Sequence, residues 1–289
     1  MRFSHLVWIV FSSIIFIGCQ KEYSRETDAN PTPAKEGLLI AASLKDAGSD
    51  VTFTYEYNAA NLPSRNLFLA NAGGLTIKGT IQATRDAAGK VTFSRIVLAS
   101  NISAGSDTLN YEIKRNANGK IGYVLLKPAD TANTVGYDSI VYSYNAGSKL
   151  SGYVVYLIEY GTGIVEPMQA FEITYNGNNV VKLVEYELLG TVTNRQLVET
   201  ITFFYDNKPA ARVLTEDDFI ANLAPINNIG PAVNNTLKYS REYAQDPDEN
   251  VITEYKYVYG NNGKPISADV TTIRPGLADS KATLTFTYR

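Results

Sequence analysis

The feature that most constrains this chain is a turn that recurs about every thirty residues. The turns are Asn58-Ala-Ala-Asn61, Asp86-Ala-Ala-Gly89, Asn116-Ala-Asn-Gly119, Asn145-Ala-Gly147, Asn176-Gly-Asn-Asn179, Asp206-Asn-Lys-Pro209 and Gly260-Asn-Asn-Gly263. Their starts are spaced by 28, 30, 29, 31, 30 and 54 residues, and an insertion at 215–236 accounts for the long last interval. Asn, Asp and Gly accept the positive φ of tight hairpins at low cost. A chain punctuated this way folds as successive hairpins.

The segments between turns alternate with period two. Val51, Phe53, Tyr55 and Tyr57 share one face, with Thr52, Thr54 and Glu56 on the other. Leu109/Tyr111/Ile113, Ile140/Tyr142/Tyr144, Phe171/Ile173/Tyr175, Ile201/Phe203/Tyr205, Tyr255/Tyr257/Tyr259 and Leu284/Phe286/Tyr288 repeat the pattern. Two strands per period predict an all-β, up-and-down antiparallel meander of about 14 strands. So wide a sheet exposes long edges and an apolar face unless it curls into a barrel or folds over as a clam. Tyr suits a half-wet interior, because its ring is apolar and its hydroxyl reaches polar groups.

Residues 215–224 break the pattern. Thr215-Glu-Asp-Asp218 caps one short helix near 216–223, with Phe219, Ile220 and Leu223 as its apolar stripe. This insertion is placed to plug a barrel mouth or cover an edge.

The N-terminus has a different logic. Arg2 is followed by an apolar run from Leu6 to Ile17, interrupted only by Ser12 and Ser13. That length fits a signal peptide and falls short of a spanning helix. Ile17-Gly18-Cys19 then resembles a lipobox, in which a small residue precedes the cysteine that is lipidated. Residues 1–18 are therefore expected to be a lipoprotein signal peptide and Cys19 the lipidated first residue of the mature chain. Residues 19–36 form a polar tether containing Pro31 and Pro33, and 37–289 a single repeat-built β domain. Gln20-Lys21-Glu22 resembles the surface-export signal of Bacteroidetes lipoproteins. The expected location is the outer membrane, surface-exposed rather than periplasmic, with the membrane as partner through the Cys19 lipid.

Composition narrows the chemistry. His5 and Trp8 are the only His and Trp and both lie in the signal; Cys19 is the only cysteine. The mature domain therefore excludes Ser-His-Asp and Cys-His catalysis and His-ligated metal sites. Without Arg2, 25 basic residues face 29 acidic ones, so nucleic acid is not an expected partner.

Tyr-Asx-x-x-Gly-Lys units near a thirty-residue period follow the lipobox. An Asp-Asp-Phe insertion, an Asn-rich loop and Tyr255-Lys-Tyr-Val-Tyr-Gly-Asn-Asn-Gly-Lys-Pro-Ile266 close the chain. This resembles the Bacteroidetes lipoproteins of unknown function that have YD-like repeats and a porin-like fold. The resemblance implies a barrel-like meander and supplies no activity or site residue.

No catalytic, cofactor-binding or metal-ligating set emerges, and no binding residue is singled out. Asp246-Pro-Asp-Glu-Asn250 reads as a solvated turn in preference to a Ca²⁺ loop. Asp107-Thr-Leu109, Asp130-Thr-Ala132 and Asp138-Ser-Ile140 match the O-glycosylation pattern of that phylum. The expected function is non-catalytic: a lipid-anchored envelope protein presenting a glycan- or protein-binding interior or a mouth near 215–236. The alternative is a structural or accessory lipoprotein of an outer-membrane complex. A carboxylate-based hydrolase and a transmembrane barrel are further readings.

Overall fold

The structure, a computed structural model, describes residues 37–102, 105–128, 136–159, 161–211, 217, 220 and 232–289. Residues 1–36, and with them Cys19, the signal and the tether, lie outside the described residues, as do Asp130-Thr-Ala132 and most of 216–223. Asp217 and Ile220, the described residues of that expected helix, have helical backbone.

Sixteen strands follow one another. They are β1 (Leu39–Lys45), β2 (Ser49–Tyr57), β3 (Pro63–Ala72), β4 (Leu75–Arg85), β5 (Val91–Ser100), β6 (Ser106–Arg115), β7 (Ile121–Pro128) and β8 (Gly136–Tyr144). Then come β9 (Leu150–Glu159), β10 (Val165–Asn176), β11 (Asn179–Leu188), β12 (Arg195–Pro209), β13 (Asn234–Tyr243), β14 (Val251–Tyr259), β15 (Pro265–Ile273) and β16 (Ser280–Tyr288). Each pairs antiparallel with its neighbours in sequence, and β16 pairs back onto β1, so the sheet closes as a barrel. Seven turns at two strands each yield the expected fourteen. The other two, β1 and β16, have no turn between them and meet only through closure.

Closure sorts the side chains. In β2 and β3, Val51 faces Ala70, Phe53 faces Phe68 and Tyr55 faces Asn66, all on the inner side. One contiguous core draws buried side chains from every strand but β3, among them Tyr111, Val124, Phe203, Tyr239 and Leu284. A satellite of Val51, Phe68, Ala70 and Ile77 covers β3. Fully burying each such side chain contributes about 1.5–3 kcal/mol. The outer wall is largely polar: Lys256 of β14 pairs across to Asp269 of β15, both at mid-strand and both exposed.

The two rims differ. One, the repeat rim, carries all seven repeating turns, the 210–233 connection and both ends of the domain. Four of its turns, those opened by Asn58, Asp86, Asn116 and Asn145, share one chemistry. Asp86 Oδ1 accepts from the amides of Ala88 (2.9 Å) and Lys90 (2.9 Å), and Asn116 Oδ1 from Asn118 (3.0 Å) and Lys120 (3.1 Å). The fourth turn residue takes positive φ: Gly89 (78°), Gly119 (74°) and Gly263 (75°), but Asn61 (57°) and Ser148 (58°) elsewhere. This is a type I turn closed by a left-handed bulge residue. Several residues just before a turn, and Tyr288 at the end of β16, then tie two strands together. The hydroxyls of Tyr57, Tyr144, Tyr205 and Tyr288 donate to the carbonyls of Leu39 (2.6 Å), Ile121 (2.9 Å), Val180 (2.6 Å) and Pro265 (2.7 Å). Arg85 and Arg115 do the same, through Pro63 (2.9 Å) and Val91 (3.0 Å).

Candidate functional site

The repeat rim is blocked. The connection between β12 and β13 reaches across the barrel to β5 and β6, six to seven strands around the ring. Asp217 accepts from Arg115 through both oxygens (3.1 and 2.5 Å) and from the Val91 amide (3.0 Å). Ile220 is fully buried in the main core. The base of the connection is fastened by Asn235. Its amide nitrogen donates to Asp206 (3.0 Å) and Pro209 (3.2 Å), and the Tyr259 hydroxyl joins on Asp206. The 215–236 region was expected either to plug a mouth or to offer one to a ligand. Its described residues plug.

The opposite, open rim is where charges turn inward. Glu185 of β11 lies opposite Glu199 of β12, and Arg241 of β13 lies opposite Ile201, one inward position deeper. Both glutamates stand three to four residues inside the strand ends, about 10–13 Å down at ~3.3 Å per residue. Arg241 Nε is 3.3 Å from Glu199, and both side chains are only 8% exposed. The Gln169 amide donates to Glu185 (3.0 Å) and Arg241 Nη1 donates to the Tyr243 hydroxyl (3.2 Å). Burial first, then the Glu199 charge, pushes Glu185 up to about 7, with Arg241 partly opposing them. Burial also raises Glu199, against the pull of Arg241 and of its hydrogen bond with Glu185. Of the two carboxyls, Glu185 holds a proton the more readily, because Arg241 pairs directly with Glu199.

Further around the same half, Asp138 of β8 faces inward opposite Leu126, which in turn lies opposite Tyr111 of β6. Burial lifts the Asp138 carboxyl. Tyr142, Tyr153 and Phe171 pack in a row on β8–β10, with ring centroids 5.7 and 4.4 Å apart. This matches the expectation that the tyrosines serve core and cross-strand packing.

Glu185, Glu199 and Arg241 do not stand out in the sequence, although alternation carries the signal. Glu185 shares a face with Leu183, Glu199 with Ile201, and Arg241 with Tyr239. Each places a charge on the aromatic side of its strand. The other candidate segments lie elsewhere. Asp246–Asn250 makes a 3-10 turn (Pro247–Glu249), where Asn250 Oδ1 accepts from the Tyr243 amide (2.8 Å). Ser139, the acceptor of one glycosylation triad, is buried, whereas Thr108 of another is half-buried. Among the described residues, no group of three or more acidic, His or Cys side chains is arranged to hold a metal.

No protein-family model matches the chain, and no curated protein matches it. Solved structures that align with the chain include two from Bacteroides. A porin-like protein from Bacteroides uniformis aligns over 87% of this chain and 98% of its own, at TM-score 0.52 and 17% identity. A porin-like protein from Bacteroides vulgatus aligns over 88% and 99%, at TM-score 0.43 and 8% identity. The first shares the barrel architecture with this chain.

Proposed function

We propose that this chain is a non-catalytic, lipid-tethered barrel of the cell envelope that binds a ligand or partner at the rim opposite its anchor. The observation that carries this is the polarity of the wall. A barrel whose strands cross lipid needs an apolar outer band, and a Lys or Arg at mid-depth costs about 2–4 kcal/mol. Here the aromatic face is packed inside, and Lys256 and Asp269 stand exposed at mid-strand outside. The neighbours are named porin-like; on this chain that likeness extends to the architecture, while the polarity suits a barrel held in water. A lipid on Cys19 then supplies the membrane attachment, and the 20–36 tether enters the domain at the plugged rim. That orientation leaves the rim with inward charges facing away from the bilayer.

The test is a Cys19→Ala variant expressed beside the wild type. Wild type takes up radiolabelled palmitate and pellets with outer membranes; the variant does neither. A variant that still pellets after alkaline washing refutes the tether. Protease shaving of intact cells separates surface display from the periplasmic leaflet. Ligand binding is tested by thermal shift across amines, neutral saccharides, peptides and lipids.

A second reading rests on the outer wall of β7–β11. There Tyr123, Val141 and Met168 are exposed and Val154, Tyr156 and Tyr186 are half-buried on neighbouring strands, whereas exposed apolar side chains elsewhere on the wall, such as Leu69, Phe204 and Val258, are set among polar ones. Such a patch fits an accessory lipoprotein seated against a larger envelope complex. Purification from solubilised membranes with a stoichiometric partner favours it; a lone monomer removes it.

A further inference from the structure

One part of the interior is left chemically unbalanced. Tyr111 is 1% exposed, and its hydroxyl is buried without a hydrogen-bond partner among the described residues. Buried hydroxyls are nearly always paired, so an orphan of this kind calls for a reason. Asp138 supplies the context. It faces the same space from two strands away, and its charge adds to the burial that raises the Tyr111 hydroxyl. Asp138 itself is half-buried and makes no hydrogen bond or ion pair among the described residues. A desolvated carboxylate without a counter-charge is unfavourable by several kcal/mol.

The surroundings fit one kind of visitor. Tyr142 and Tyr153 continue the wall next to Tyr111, and Phe171 stacks on Tyr153 at 4.4 Å. Aromatic faces carry negative potential and hold cations. Glu185 and Glu199 lie beside Arg241, with the Glu185 carboxyl raised, so that group is close to balanced. Asp138 and Glu187, the latter inward and exposed at the open rim, then draw cations towards the interior. A neutral polyol would satisfy the Tyr111 hydroxyl and leave the Asp138 charge unbalanced. A Ca²⁺ ion wants six to eight oxygen ligands, and among the described residues only the Asp138 carboxylate acts on the Tyr111 hydroxyl.

We infer that the barrel interior below the open rim is a seat for an organic cation, an ammonium or guanidinium group held between Asp138 and the rings of Tyr111, Tyr142 and Tyr153. The inference rests on the binding-module reading and gives it a ligand class. Two sources carry that chemistry: a free small amine, or a basic side chain of a peptide.

The experiment is isothermal titration of the purified full chain near neutral pH and low salt. The amine probes are choline and cadaverine, and the peptide probe is acetyl-Ala-Lys-Ala-amide. Each has a neutral counterpart: 3,3-dimethylbutan-1-ol, pentane-1,5-diol and the Nε-acetylated peptide. Saturable binding is expected for at least one cation and for none of the neutral counterparts. Asp138→Asn should weaken it about tenfold or more, and Tyr111→Phe more modestly, about threefold. Asp138→Asn removes a desolvated charge, so its melting temperature should equal or exceed that of the wild type. This separates lost binding from lost folding, and the near-isosteric Tyr111→Phe is the second check. Binding of the amines alone assigns a small-molecule ligand, and binding of the peptide alone assigns a protein partner. Lack of saturable binding by every cation overturns the inference, as does equal binding by wild type and Asp138→Asn. A neutral saccharide that binds both proteins equally also overturns it and leaves the binding-module reading standing. If no class of ligand binds, both readings fail.

Discussion

The plug at the repeat rim makes a prediction whose size follows from its geometry. Asp217 meets Arg115 in a two-oxygen ion pair and also accepts from the Val91 amide. The Arg115 and Asp217 side chains are 18% and 20% exposed, which places the pair between the surface and the deep interior. Exposed pairs contribute about 0.2–1 kcal/mol, and breaking a fully buried one costs about 3–5. Arg115 keeps two acceptors when Asp217 is lost, the carbonyls of Gly119 (3.1 Å) and Val91 (3.0 Å), so its charge is not abandoned. The Val91 amide has no such reserve, and an unpaired buried amide costs about 1–3 kcal/mol. Asp217→Ala should therefore destabilise by about 3 kcal/mol, a fall of about 6–12 °C in Tm for a domain of this size. Thermal unfolding by circular dichroism measures the shift. Hydrogen exchange at the Val91 amide, faster in the variant, locates it. A double-mutant cycle with Arg115→Ala should leave a coupling of about 1–2 kcal/mol. A single-variant loss below ~0.5 kcal/mol with no coupling would refute the idea that this contact holds the plug.

Three further predictions follow from other positions. Glu185 rises to about 7 in the fold from 4.5, so between those values the folded chain holds a proton that the unfolded chain has lost. Stability should fall as pH rises through that window, by up to about 3 kcal/mol, and Glu185→Gln should flatten the fall; superimposable urea midpoints for the two proteins at pH 5 and pH 8 would contradict this. Ser148 holds a left-handed φ of 58° where sister turns have glycine, so Ser148→Gly should stabilise by about 0.5–1 kcal/mol in denaturant titration, with a loss counting against the turn assignment. A Cβ on Gly152 would stand 2.3 Å from the Phe171 carbonyl oxygen, and since backbone cannot swing aside, Gly152→Ala should cost about 2 kcal/mol or more; a wild-type melting temperature would show that β9 and β10 can separate there.

The legible part of this fold was its local chemistry. Asx at the first turn position and glycine at the fourth announced Asp86–Gly89 and Asn116–Gly119, and period-two alternation announced the aromatic face. What escaped was long-range. Asp217 and Arg115 lie 102 residues apart, and no spacing rule joins them. Capping chemistry explained Asp217 locally and concealed that its carboxylate also bonds Arg115 and the Val91 amide across the barrel. Closure was legible only as one of two outcomes, barrel or clam, because β1 and β16 share no turn that would pair them. The inward charges were masked by averaging. One glutamate among Leu183, Tyr175 and Phe171 does not disturb an apolar face until the pairing shows that Glu185 and Glu199 are neighbours.

The two rims divide labour in a way the repeat itself explains. On the repeat rim several turns brace the next strand: Lys120 lies over Tyr144, Lys149 over Tyr175 and Lys264 over Tyr288. Arg289 over Tyr57 carries the same contact across the seam between the last strand and the first. Each is worth only about 0.5–1 kcal/mol, but together they brace the rim that the 210–233 connection then plugs. The open rim has no such ladder. Its connections, at 46–48, 73–74, 101–105 and 189–194 among others, differ in length and residue type. A position freed from the repeat can carry a charge inward without breaking a turn that the next strand depends on. Glu185, Glu199, Arg241 and Asp138 all lie in the half of the barrel nearer that rim. Bracing contacts are therefore concentrated where the chain repeats, and inward charges where it does not.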